Sequence, residues 1–166
     1  MNKTFNTSFF IVFAIGMYLM IGLDDHHYPP EPIITVDDKN LEVARGSYCW
    51  HSVCVDTMSP PMLIDHHRLK PMIVPPASKL IIKFEEEPIA NTVKVNRWLN
   101  DHDVEEVALT NDILIAPQES GIYVYDVHAR WEKGTASYAF TIEVRSIIPR
   151  LTARRCTTVY PKLSGR

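Results

Sequence analysis

The sequence predicts an all-β protein, an antiparallel β-sandwich with a hydrophobic N-terminal helix in front of it. Three observations carry this expectation. Beyond Leu41 the apolar residues recur with a period of two rather than 3.6. The β-branched and aromatic runs are short and separated by turn-forming residues, with 12 prolines against 6 glycines in 166 residues. No stretch has a convincing amphipathic helical stripe.

The chain divides into four parts. Residues 9–23 (FFIVFAIGMYLMIGL) carry no charge and stand between Lys3 and Asp24-Asp25. Their length falls between the apolar region of a signal peptide and the roughly 17–25 residues of a spanning helix. Residues 1–23 are therefore expected to be a signal peptide or membrane anchor. Small residues suited to cleavage are scarce, which favours a retained anchor, with secretion after cleavage as the alternative. The charge order puts everything after residue 24 outside the membrane. Residues 24–40 (DDHHYPPEPIITVDDKN) hold three prolines and are expected to form an extended stalk. Residues 41–145 form the β-sandwich domain. Residues 146–166 contain Arg150, Arg154, Arg155, Lys162 and Arg166 without an acidic residue, and are expected to be a disordered basic tail.

Within the domain about seven strands are expected. Leu80, Ile82 and Phe84 share one side of SKLIIKF, Val93 and Val95 one side of TVKVNRWL, and Ile113 and Ile115 one side of DILIAP. In GIYVYDVHARW, Tyr123, Tyr125, Val127, Ala129 and Trp131 face one way, and Asp126, His128 and Arg130 the other. Tyr138, Phe140, Ile142 and Val144 alternate likewise in the last strand, and Lys133-Gly134 reads as the hairpin turn between the two. The entry ESGIYVY is similar to that of immunoglobulin-type sandwiches, in which a tyrosine two residues before a core position bonds back across a corner. Tyr123 takes that place and Tyr125 stands where the second cysteine of an immunoglobulin would be. The expected class is thus an immunoglobulin-like sandwich without the inter-sheet disulfide, with Trp98 as a candidate packing tryptophan.

Net charge is −3 and residues 24–140 hold no basic block, which excludes a nucleic-acid footprint. The motif YCWHSVCV places Cys49 and Cys54 on either side of Trp50-His51-Ser52-Val53. Four intervening residues are too many for a Cys-x-x-Cys redox pair but suit a hairpin loop closed by a disulfide, and an oxidising compartment favours that bond. Free thiols and a metal site stay open as alternatives. A disulfide would present Trp50 and His51 at the hairpin tip, the expected binding point, and Cys156 is left over. His51, His66, His67 and His102 are weak metal-ligand candidates, since none has a spacing set by a regular element. No cofactor is expected. Catalytic motifs such as Gly-x-Ser-x-Gly, a Walker loop or His-Glu-x-x-His are absent from the sequence, and nothing positions the carboxylates of Glu85, Glu86, Glu87, Asp101 and Asp103, so no catalytic residue is assigned.

The residues Arg45-Gly46-Ser47-Tyr48-Cys49-Trp50, Cys54-Val55-Asp56, Ser59-Pro60-Pro61 and Ser137-Tyr138-Ala139-Phe140 followed by Ile142-Glu143-Val144 resemble small exported or lipoprotein-like proteins of Bacillus-type Gram-positive bacteria. The resemblance spans roughly residues 45–145 and departs from that group in lacking a lipobox cysteine. It implies a surface location and a β-domain, with no activity attached. The functional expectation is a membrane-tethered surface module, structural or binding, that touches the membrane through residues 9–23 and takes a cell-wall polymer or a surface protein as partner. A metal-sensing domain and a cell-wall-directed enzyme or inhibitor are the alternatives.

Overall fold

A computed structural model describes residues 28–146. The anchor segment 9–23, His26, His27, Cys156 and all but the first residue of the basic tail lie outside these residues. Among the described residues no helix is long and apolar enough to cross a membrane.

Eleven strands and one helix follow in the order β1 (Pro32–Val36), β2 (Lys39–Asn40), β3 (Ala44–Trp50), β4 (Val53–Val55), α1 (Pro60–His67), β5 (Met72–Val74), β6 (Lys79–Phe84), β7 (Lys94–Trp98), β8 (Val104–Val107), β9 (Ile113–Ile115), β10 (Gly121–Trp131) and β11 (Gly134–Val144). They build an all-β sandwich of two sheets. The smaller has the order β2-β1-β6-β9; the larger has the order β4-β3-β11-β10-β7-β8. Every pairing is antiparallel except one, in which β5 adds parallel to the last three residues of β11.

The alternation in β6 puts Leu80, Ile82 and Phe84 into the core, where Ile34 and Leu114 join them from neighbouring strands of the small sheet. Val95, Tyr125, Val127, Tyr138, Phe140 and Ile142 face them from the large sheet, and all are 2% exposed or less. At one end Trp131 packs edge-on against Trp50 and Phe84, with ring centroids 5.6 and 5.2 Å away. At the entry to β10 the Tyr123 hydroxyl donates to the Glu119 carbonyl at 2.9 Å, the corner bond expected of that tyrosine.

Four expectations need correction. Residues 32–40 are not part of an extended stalk, because β1 and β2 belong to the small sheet and bury Ile34 and Val36. Asp37-Asp38 makes their hairpin possible: both residues have positive φ, the backbone that a tight two-residue turn requires. In β9 the inward residue is Leu114, while Ile115 is exposed, so the face is the reverse of the expected one. Trp98 shares the face opposite Val95 and is not a core residue. Lastly, residues 60–67 form a helix. Pro60 and Pro61 open it where missing N–H groups cost nothing, and Arg68 ends it in the left-handed region. It buries Leu63 against Ala44 of β3 and Ala139 of β11, so α1 covers part of the outer face of the large sheet. Two small residues let the helix sit close.

Gly134, where β11 begins, has φ +156°, and a Cβ there would collide with the Cys49 backbone carbonyl across the strand pair. Backbone cannot move aside as a side chain can. Gly134→Ala is expected to cost more than about 2 kcal/mol in denaturant unfolding, and no loss would contradict this pairing.

Burial raises the Tyr125 hydroxyl to about 12 from its ordinary 10. Burial pushes Tyr138, whose hydroxyl donates to the Pro30 carbonyl at 2.6 Å, higher still. Unfolding returns both to ordinary values, so above pH 10 the unfolded chain loses protons that the folded chain keeps. Stability is full below pH 10 and falls as pH rises toward the folded-state values, by up to about 1.4 kcal/mol per pH unit for each tyrosine. Urea midpoints from pH 9 to 12 measure this, and Tyr125→Phe is expected to remove about half of the slope.

Candidate functional site

The outer face of the large sheet carries the candidate site. Where α1 leaves it uncovered, β3, β11 and β10 present polar side chains at the floor of a groove. The β3–β4 hairpin forms one wall and α1 with the segment before it the other. A concavity of about 630 Å³ lies beside the hairpin and a second of about 210 Å³ beside α1; Ser47, His128 and Ser137 line both.

Asp126 is the anchor of this floor. It is only 3% exposed although it lies on the outer face, because Trp98 and α1 shield it. A carboxylate removed from water needs strong partners. The Trp98 indole N–H donates to Asp126 Oδ1 at 2.8 Å, and His128 Nε2 contacts Oδ2. The same carboxylate thereby fixes an indole on one strand and an imidazole two residues along its own. His128 itself is half exposed and open to the groove.

Ser137 lies directly opposite His128 in the β10–β11 register, and its hydroxyl donates to the Ser47 carbonyl at 3.0 Å. The Ser47 hydroxyl donates to Asp56 Oδ1 at 2.8 Å and accepts from the Thr57 N–H at 3.0 Å. Serine, histidine and aspartate thus stand together, but the serine proton is directed to a backbone carbonyl on β3 while the imidazole leans to Asp126 on β10. Activation of a hydroxyl needs the serine proton aimed at the imidazole. These polar groups are instead held still with acceptor capacity to spare, which suits binding.

Cys49 and Cys54 are joined by a disulfide and directly paired across β3 and β4, which settles the open alternatives at that motif. Both are exposed and line the larger concavity. Replacing both by serine is expected to cost about 2 kcal/mol, the loop-closure value for so short a ring. Thermal unfolding of the double variant checks it, and a much larger loss would show that the bond holds more than the hairpin.

The expected binding tip is corrected in part. Trp50 is 1% exposed and belongs to the core beside Trp131. Its side chain faces inward because Cys49 faces out and strand neighbours alternate. His51 does stand at the turn, with φ +52° and an exposed side chain. His66 and His67 end α1 on the surface, and His102 lies in a turn whose backbone N–H donates to the Asn100 side chain. Among the described residues no three His, Cys, Asp or Glu side chains converge as metal ligands would, so these four histidines are not brought together. Nor do the carboxylates of residues 85–87 meet Asp101 and Asp103: the Glu86 carbonyl accepts from Trp131, while Asp103 bonds Asn100.

The sequence reading missed the groove. Asp-x-His along a strand puts both residues on one face, a legible hint. That Asp126 would be buried depends on α1 and Trp98, which no local pattern reveals. Comparison with protein-family models, curated proteins and solved structures finds no match to this chain.

Proposed function

We propose that this chain is an extracytoplasmic recognition module, an immunoglobulin-like β-sandwich tethered at the cell surface by residues 9–23, that binds a ligand in the groove around Asp126 and His128. The observation that carries the reading is the buried carboxylate. Burying a charge on an outer sheet face opposes stability unless its partners are well placed, and here it holds an indole and an imidazole at the floor of an open groove. Such an arrangement orients groups for something outside the chain.

The immunoglobulin-like part rests on strand order. The sequence β8-β7-β10-β11 in one sheet and β1-β6-β9 in the other, a parallel β5 beside β11, and the Tyr123 corner bond all fit that class. The β2 to α1 segment reads as an insertion within the first strand, and it supplies the groove walls. The location rests on the charge-free N-terminal run and on the Cys49–Cys54 bond, which persists in oxidising compartments.

Trapping thiols with an alkylating reagent in intact cells that express the full chain, followed by intact mass with and without reductant, tests the compartment. The expected result is a chain in which Cys49 and Cys54 resist alkylation until reduced. Immediate alkylation of both would contradict an extracytoplasmic domain.

A further inference from the structure

We infer that the groove takes an uncharged, hydroxyl-rich glycan strand, an inference that rests on the recognition-module reading and gives its ligand a chemical class. Three properties of the floor select it. Its backbone is unavailable: β3, β11 and β10 pair with one another along the groove, so N–H and C=O groups are consumed within the sheet. An extended peptide, which gains affinity by main-chain bonding to a free strand edge, finds one only in the three-residue β4 on the groove wall, too short to seat a peptide along the floor. Recognition falls to side chains.

Those side chains are balanced in charge. Arg130 and Asp56 both line the larger concavity, and the buried Asp126 carboxylate is engaged by the Trp98 indole N–H and by His128. Lys94, opposite His128 on β7, is engaged by Glu106 at 3.1 Å. A polyanion would need an excess of cations that this face does not offer. A small apolar ligand is equally unsuited, since such ligands want an enclosed apolar cavity and this groove is open along its length.

What remains is a dense mixture of donors and acceptors on a rigid surface. Ser137 keeps lone pairs after donating its proton, Asp56 is an exposed acceptor held by the Ser47 hydroxyl, and Arg130 is an exposed fork of donors. Sugar hydroxyls each donate and accept, and they match such a surface without bringing charge. The two concavities share Ser47, His128 and Ser137, so they form one elongated track in which successive sugar units of a strand can lie.

Retention of the full chain on insoluble uncharged polysaccharides tests this: chitin, cellulose and β-1,3-glucan, beside heparin resin and an immobilised peptide library. At least one uncharged glycan is expected to retain the chain, with His128→Ala and Arg130→Ala each lowering retention about tenfold. Lys83→Ala, on the far sheet, is expected to leave it unchanged, and circular dichroism verifies that all three variants fold. Groove-dependent retention on heparin or peptide alone would overturn the glycan while sparing the recognition module. No retention on any glycan, with nothing else bound through the groove, or retention indifferent to both groove variants, would overturn both.

Discussion

Trp131→Ala is expected to remove about 3–5 kcal/mol of stability, the usual range for a buried tryptophan truncated in a packed core. Trp131 is 3% exposed and closes one end of the sandwich. Its indole contacts Trp50 on β3 and Phe84 on β6, so it joins the two sheets through aromatic edges. Its N–H donates to the Glu86 carbonyl at 2.8 Å, fixing the chain just after β6. Truncation therefore leaves a cavity between the sheets and an unsatisfied carbonyl together. Against a domain stability of roughly 5–15 kcal/mol, such a loss would bring the protein near its unfolding threshold. Trp131→Phe keeps most of the packing and loses the hydrogen bond, so its cost is expected to be smaller, about 1–3 kcal/mol. Urea unfolding followed by circular dichroism separates the two variants. Equal and small losses would mean that this aromatic cluster does not join the sheets.

Asp126 gives the second large effect, and there stability and binding are expected to part. Asp126→Ala strips the Trp98 indole N–H of its acceptor, at about 1–3 kcal/mol, and releases His128. Breaking a fully buried ion pair costs more, because the abandoned charge stays buried. His128 is half exposed and water can take over its solvation, so the smaller figure applies. Asp126→Asn retains an oxygen for the indole while surrendering the carboxylate charge that holds the imidazole. It is expected to unfold within about 1 kcal/mol of the wild type yet to lose glycan retention about as fully as His128→Ala. Urea midpoints alongside the retention assay check both halves. An Asp126→Asn protein that binds normally would show that the carboxylate is only a structural group.

The strands were legible where alternation is strong. β6, β10 and β11 each carry an alternating apolar face that enters the core, and period-two patterning locates such strands unaided. Tyr123 was legible as a corner because a local motif fixes its bond. Less could be read where tertiary contact decides. In β11 both faces are buried, Ala139 under α1 and Thr141 through a bond to the Tyr123 carbonyl, so its polar side looks solvated only in sequence. The helix α1 has two turns, too few for a 3.6 period to rise above the Pro-Pro signal of a loop. β9 has three residues, ILI, all apolar, and alternation cannot say which is inward. The cysteine pair was readable from spacing. Adjacency to the turn points Trp50 to the tip, whereas strand alternation sends it inward. Asp126 and His128 were visible as one polar face, but nothing nearby in sequence marks the carboxylate as buried; its cover comes from residues 60–67 and Trp98.

Histidine modification mapped by mass spectrometry tests the placement of the site most directly. The described part of the chain holds five histidines, His51, His66, His67, His102 and His128, all on the surface, and only His128 lines the groove. With the full chain and a saturating soluble oligosaccharide of the retained glycan, His128 is expected to be protected from diethyl pyrocarbonate while the other four react as they do without it. Protection of His51 with His128 left reactive would move the site to the hairpin tip. Unchanged reactivity at all five would contradict a groove built on Asp126.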